Sequence, residues 1–356
     1  MPGLYSFLKS YCRIALWFYY RKWQVHRHEA TPGGPVIFVA NHQNAFLDAV
    51  LVGCSTSRQP WFLARANVFQ KPWARVVLTW LKMRPVFRFR DGFSTLRKND
   101  EMIEGCVDLL RQGESILIFA EGNHDHRWHL RPLQKGFARI AQAAIKKNIA
   151  VKIVPVGLQY DSLNQAGSRV LVSFGKSISL TENPSSQKEE KEQIDLLIAK
   201  TSASLQSMML HIEASHYAHD ANVFLQNRKL KTDLIEQLHA DQQLIRTLTS
   251  AGETENSTSI TATHNNLRWL NPIFLYYVVN HALPRAILQW ILKNKVKDEQ
   301  FIGSLKFAIG MLLVPLFYLL QTGVIYSLSH SPAIALAYLI SLPASLLLAR
   351  GQLPTA

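Results

Sequence analysis

The stretch VIFVANHQNAFLDAVLV, residues 36–52, carries the first side chains in this chain that could do chemistry together: His42 and Asp48. In one continuous helix, residues six apart are turned by about 240° and separated by roughly 9 Å, so the two could not meet. If a strand ends near Asn41 and the chain turns through Gln43 and Asn44 before a helix begins, they converge. Asn41 and Asn44 are turn and N-cap residue types, and Ala45, Phe46 and Leu47 open an apolar helical face. A carboxylate that accepts a hydrogen bond from one imidazole nitrogen fixes the tautomer and leaves the other nitrogen to take a proton. Such a base needs no enzyme nucleophile when the substrate brings its own hydroxyl. No G-x-S-x-G elbow is present, and Cys54 has no activating neighbours in sequence. The plain alternative is that His42 caps a turn and Asp48 faces water.

The elements that must position this pair follow an alternating pattern. Strands are expected at 36–40, 60–64, 85–89, 115–120, 151–158 and 169–174, with helices at 45–54, 70–82, 95–112 and 135–147. This alternation implies an α/β fold, a mixed, largely parallel sheet flanked by helices. Ligands of such sheets sit where strands end and loops begin. Helical spacing of Trp73, Val76, Val77, Trp80 and Leu81 implies core packing, or else the lining of an apolar groove.

Around this catalytic unit, expected over 31–180, the sequence divides further. Residues 4–23 combine an aromatic face with interspersed cations, so 1–30 reads as an amphipathic helix in the membrane interface. It does not have the form of a cleaved signal peptide. Residues 181–250 read as a helical extension, a pair of helices, and 251–268 as a linker. The segment 269–356 is a membrane region. Positions 307–349 hold no Lys, Arg, Asp or Glu, and spanning helices are expected near 307–328 and 333–349. Residues 269–292 are apolar but interrupted by Pro284 and Arg285, which implies an interfacial or re-entrant segment. Lysines before the pair of helices and Arg350 after it place both ends, and the catalytic domain, on the cytosolic face.

The net charge of +14 is uneven: residues 1–150 hold 22 Lys and Arg against 10 Asp and Glu. A basic half joined to an apolar tail suits anionic lipid or an anionic substrate. No nucleic-acid-binding motif accompanies it. Three dispersed cysteines argue against a disulfide framework.

ANHQNAFLD resembles the first motif of the PlsC-type glycerolipid acyltransferases, with five residues rather than four between His and Asp. This spacing resembles the branch containing yeast-type glycerol-3-phosphate acyltransferases. FLARANVFQKPWARVVLTWLKMRPVFRFRDG, IFAEGNHDHRWHLRPLQKGFARIA and IVPVGLQYD resemble the following blocks, in family order. The resemblance implies that His42 deprotonates an acceptor hydroxyl while Asp48 holds it. The hydroxyl then attacks a fatty-acyl thioester, with no acyl-enzyme and no cofactor. The donor is acyl-CoA or acyl carrier protein. The acceptor is a phosphorylated glycerol, glycerol 3-phosphate first and lysophosphatidic acid as the alternative. Membrane lipids are the remaining partners.

A phosphorylated acceptor needs cations near the base. Arg88 and Arg90 lie two apart on one expected strand, and Arg127, Arg131 and Lys135 follow the strand at 115–120. By resemblance Arg90, Glu121 and Gly122 occupy acceptor-site positions. The third motif departs from the family's FPEGTR: Ala120 replaces proline, and Asn123 and His124 stand where Thr and Arg are usual. His124, Arg127 or Arg131 must then serve the phosphate, and Glu121 either binds acceptor hydroxyls or orients an arginine. HDHRWH also offers His124, His126 and His129 in a spacing similar to a zinc loop, so a zinc hydrolase is a rival. A non-catalytic membrane scaffold is another. No metal is expected under the acyltransferase reading. His211, His216 and His219 are expected on a helix surface.

Overall fold

The computed structural model describes residues 2–86, 95–180, 186–251 and 271–349. Its strands are β1 (Lys22–Arg27), β2 (Val36–Ala40), β3 (Trp61–Arg65), β4 (Met83–Val86), β5 (Ser115–Phe119), β6 (Lys152–Tyr160), β7 (Arg169–Phe174) and β8 (Ile178–Ser179). Among the first seven the sheet order is β1-β7-β6-β2-β5-β3-β4, with β8 attached to β6. Neighbours run parallel except β6 with β7 and β6 with β8. The mixed, largely parallel sheet expected from the sequence is therefore present.

The helices are α1 (Pro2–Tyr19), α2 (Ala45–Ser55), α3 (Pro72–Trp80), α4 (Thr95–Arg111), α5 (Gly136–Lys146), α6 (Gln187–Ser207), α7 (Tyr217–Asn227), α8 (Leu234–Ala251), α9 (Pro272–Lys295), α10 (Ile302–Ser329) and α11 (Pro332–Ala349). β2 is buried on both faces, which is why it reads as an unbroken apolar run. Its residues alternate between two cores. Ile37 and Val39 face Val107 and Leu110 of α4 and Phe137 and Ile140 of α5. Val36, Phe38 and Ala40 face Leu16 of α1, Leu47 and Leu51 of α2, and Phe307 of α10.

Several expectations need correction. The N-terminal helix stops at Tyr19, and β1 follows at the sheet edge beside β7. Lys22 and Gln24 donate to the Thr232 carbonyl at 2.7 Å and the Asp233 carboxylate at 2.8 Å, and alternate with Trp23 and Val25, which pack on the core. The extension after β8 is three helices, not two. α3 contains no buried residue, and Trp73, Val76, Val77 and Trp80 are exposed, so core packing does not explain its apolar face. α9 runs unbroken through Pro284. Of the expected strand 85–89, β4 covers only the first two positions, and Arg88 and Arg90 lie outside the described residues, as does nearly all of the linker.

The last two helices are long and apolar enough to cross a membrane. They fold back on each other through His330, whose φ of 50° ends α10 in a left-handed cap. α9 joins them through polar rungs. His281 bonds the Tyr318 hydroxyl at 2.7 Å, Asn280 accepts from Tyr338 at 2.5 Å and from Gln321 at 2.9 Å, and Tyr276 meets Ser341 at 2.5 Å. Between apolar helices such bonds act as pins, each contributing about 0.6–2 kcal/mol.

Candidate active site

His42 emerges two residues past β2, at the edge where the parallel strands β2, β3 and β5 all end. Asn41 seals the strand end: its side chain accepts from the Leu158 N–H at 2.7 Å and donates to the Leu158 carbonyl at 3.0 Å. The chain then turns sharply, and Ala45 enters α2 with φ of 42°, a left-handed conformation strained for any residue with a Cβ. Asn44 takes the N-cap position but its side chain does not cap; it donates to the Leu163 carbonyl at 2.7 Å. Asp48 performs the capping instead. Its Oδ2 accepts from the N–H groups of Gln43 and Asn44 at 2.8 and 2.7 Å.

The same Oδ2 lies 2.9 Å from His42 Nδ1, and Tyr160, at the end of β6, donates its hydroxyl to Oδ1. Asp48 is fully buried, whereas the His42 side chain is 16% exposed. A desolvated carboxylate thus holds Nδ1, and Nε2 is left for a proton in transit. The imidazole stacks on Phe119, with ring centroids 4.1 Å apart and planes 17° from parallel.

The loop after β5 straps the same histidine. Glu121 Oε1 accepts from the His42 N–H at 2.7 Å, and the Asp125 N–H donates to the His42 carbonyl at 3.0 Å. Gly122 lets this loop turn, with φ of 74°. Glu121 Oε2 accepts from Arg131 Nε at 3.0 Å, and Arg131 Nη2 donates to the Asn123 carbonyl. Arg65, at the end of β3, donates to the Asn123 side chain. Two guanidinium groups therefore converge on Asn123, in the loop that straps His42. Burial raises the Glu121 carboxyl above its usual range, against the opposing pull of the His42 N–H and Arg131. Of the two roles open to Glu121, orienting an arginine is the one this geometry displays.

The remaining sequence candidates separate. His124 sits edge-on to His42, centroids 5.4 Å apart; burial first, and the neighbouring His42 second, push its imidazole down to about 4. It is neutral near pH 7 and is no substitute cation for the missing motif arginine. Arg127 is engaged by Asp125, its Nη2 donating at 2.6 Å. Lys135 turns to Asp195 of α6 at 2.8 Å. Arg88 and Arg90, as noted, fall outside the described residues.

The histidines of HDHRWH do not converge. His129 stacks on His211 with centroids 4.7 Å apart, and His124 faces His42 and Phe301. Among the described residues no three of His, Cys, Asp and Glu gather as a metal site. His211 lies in a loop rather than on a helix, half-buried, its Nδ1 accepting from the Leu130 N–H at 2.9 Å, while His216 and His219 are exposed. Burial pushes the Cys54 and Cys106 thiols up to about 12, which leaves neither as a thiolate nucleophile. Tyr160 and Arg65 were missed in the sequence reading. Each ends a strand inside a motif block already singled out, and strand ends on the catalytic edge were the available signal.

A histidine–carboxylate base on this edge of a mixed sheet, with arginines at its mouth, is an arrangement for moving a proton beside an anionic substrate. Residues 22–159 match the family model described as Acyltransferase. Two chloroplastic 1-acyl-sn-glycerol-3-phosphate acyltransferases are similar. BAT2 of Brassica napus is 25% identical over 142 residues, 40% of this chain and 38% of that protein. LPAT1 of Arabidopsis thaliana is 26% identical over 147 residues, 39% of this chain and 38% of that protein. The match thus spans under two fifths of either relative. The crystal structure of PlsC, the 1-acyl-sn-glycerophosphate acyltransferase of Thermotoga maritima, is a looser likeness, with 13% identity, 57% of this chain and 79% of that one covered, and a TM-score of 0.38.

Proposed function

We propose that the chain is a membrane-associated O-acyltransferase that moves a fatty-acyl group from a thioester to a hydroxyl of a glycerophosphate acceptor. The carrying observation is the His42–Asp48 pair at 2.9 Å, with the carboxylate buried and Nε2 left over. The acceptor O–H gives its proton to Nε2 as its oxygen bonds the thioester carbonyl carbon. Asp48 stabilises the imidazolium, the C–S bond breaks, and the proton passes to the departing thiolate of coenzyme A or acyl carrier protein. Arg131 and Arg65 bind the acceptor phosphate, with Glu121 orienting Arg131.

Glycerol 3-phosphate is the acceptor put first by the sequence. The names of the two plant relatives favour 1-acylglycerol 3-phosphate. The two C-terminal apolar helices support integral membrane association, and the cytosolic face proposed for the domain rests on the lysines before them and Arg350 after them. Acylation by detergent-purified protein, with the two acceptors side by side and acyl-CoA and acyl carrier protein donors in parallel, tests the reading. Turnover on neither acceptor with either donor overturns it. Extraction from membranes by alkaline carbonate would overturn the integral anchor.

A further inference from the structure

The turn that carries the base is gripped from outside the acyltransferase match. Ser304, at the foot of α10, is fully buried, and its Oγ donates to the Asn44 carbonyl at 2.6 Å while accepting from the Leu47 N–H at 3.1 Å. Gly303 presses on the same turn. A Cβ there would lie 2.3 Å from the Leu163 carbonyl oxygen and 2.6 Å from Asn44 Oδ1, so only glycine admits this approach. One turn away, the Phe301 ring stands edge-on to His124 at 4.7 Å, and His124 stands edge-on to His42. Lys306 donates to the Asn164 carbonyl, and Phe307 is buried against Tyr19 of α1, centroids 5.4 Å apart. The helix foot is thus fixed on three sides.

This grip falls where the backbone needs it. The strained Ala45 lies between the two residues that Ser304 bonds, and such a conformation persists only when its surroundings over-determine it. The N–H groups of Gln43 and Asn44, which fix Asp48, belong to the same turn. If the turn relaxes, the carboxylate behind Nδ1 moves with it.

We propose that the foot of α10, above all Ser304 and Gly303, is a positioning element of the catalytic centre: it holds the strained turn that keeps Asp48 behind His42. The apolar tail is then part of the acyl-transfer machinery as well as an anchor. This inference rests on His42 being the base, as in the reading above.

The test uses the full chain in detergent. Ser304→Ala should lower kcat about tenfold, or about 1.4 kcal/mol of barrier. The KM values of donor and acceptor should stay within about twofold, and the thermal midpoint should be little changed. Hydrogen–deuterium exchange should quicken in the peptide covering 41–50 and nowhere else in the sheet. Ser304→Thr, which keeps the hydroxyl, should recover most of the rate, and Gly303→Ala should lose more of it than Ser304→Ala. A Ser304→Ala enzyme with wild-type kcat overturns the proposal. So does a loss of rate accompanied by faster exchange across the whole domain, which would mark a merely structural contact. If the wild-type protein acylates no glycerophosphate, the proposed function fails separately. The exchange of peptide 41–50 still decides the positioning claim, because unchanged protection in Ser304→Ala overturns it.

Discussion

Asp48→Asn separates charge from geometry at this site. Oδ2 accepts from two backbone N–H groups and faces His42 Nδ1, whereas Oδ1, among the described residues, accepts from the Tyr160 hydroxyl. An asparagine amide placed with its NH2 at the Oδ2 position would point donors at donors. The amide oxygen must therefore take that position, and its NH2 must face Tyr160, whose hydroxyl can rotate to accept. The variant keeps the His42 tautomer and the turn, and loses the negative charge. Two unit charges about 4 Å apart at an effective dielectric near 20 interact by about 4 kcal/mol. Replacing a charged by a neutral hydrogen-bond partner gives a lower bound of about 1 kcal/mol. The kcat should therefore fall between about fivefold and about a thousandfold, at about 1.4 kcal/mol per decade. Thiol release from the acyl donor, followed with a chromogenic thiol reagent, measures it, and the thermal midpoint should stay near that of the wild type. Asp48→Ala is a poorer probe, since it strands buried donors at about 1–3 kcal/mol each and should unfold the turn. A kcat within twofold of wild type in Asp48→Asn would refute the role given to the carboxylate.

Tyr160→Phe removes one donor to a buried carboxylate and should destabilise the fold by about 1–3 kcal/mol, measured by chemical denaturation. His124 should make stability fall in acid. Its folded value of about 4 lies below the ordinary 6.5, so the unfolded chain binds a proton first, and its contribution is complete above about 6.5 and lost as pH falls towards 4. The drop in thermal midpoint between pH 7 and pH 5 should accordingly be smaller in His124→Gln than in the wild type. Arg131→Ala should raise the acceptor KM at least tenfold with little change in that of the donor, and Arg131→Lys should rescue it poorly, because a single ammonium cannot bond both Glu121 and Asn123 as the guanidinium does. An unchanged acceptor KM in steady-state titrations would remove Arg131 from the phosphate site.

The parts of this site legible in sequence are those written locally. Residues 36–40 are apolar at every position because both faces of β2 are covered, and Asn41, just as buried, marks where the strand ends and a side-chain amide bonds Leu158 of β6. The turn needed to bring His42 and Asp48 together was also readable, although Asp48 rather than Asn44 caps the helix. Tyr160 reaches Asp48 across 112 positions and Ser304 reaches Asn44 across 260, and no periodicity reports such distances. The engaged states of Arg127 and Lys135 were hidden for the same reason: Asp125 is a neighbour in sequence, but its choice of Arg127 depends on the loop's path over His42. β1 escaped because its alternation is short and adjoins a helix of similar composition. α3 misled in the opposite way, with helical spacing and no core to receive it.

The pins across the last three helices have a mechanical consequence. His281, Asn280 and Tyr276 engage Tyr318 and Gln321 of one neighbour and Tyr338 and Ser341 of the other, at successive heights along the bundle. No helix of the three can slide or spin past another without breaking several of these bonds at once. The three helices therefore move as one rigid lever, and its short arm ends at the turn behind His42.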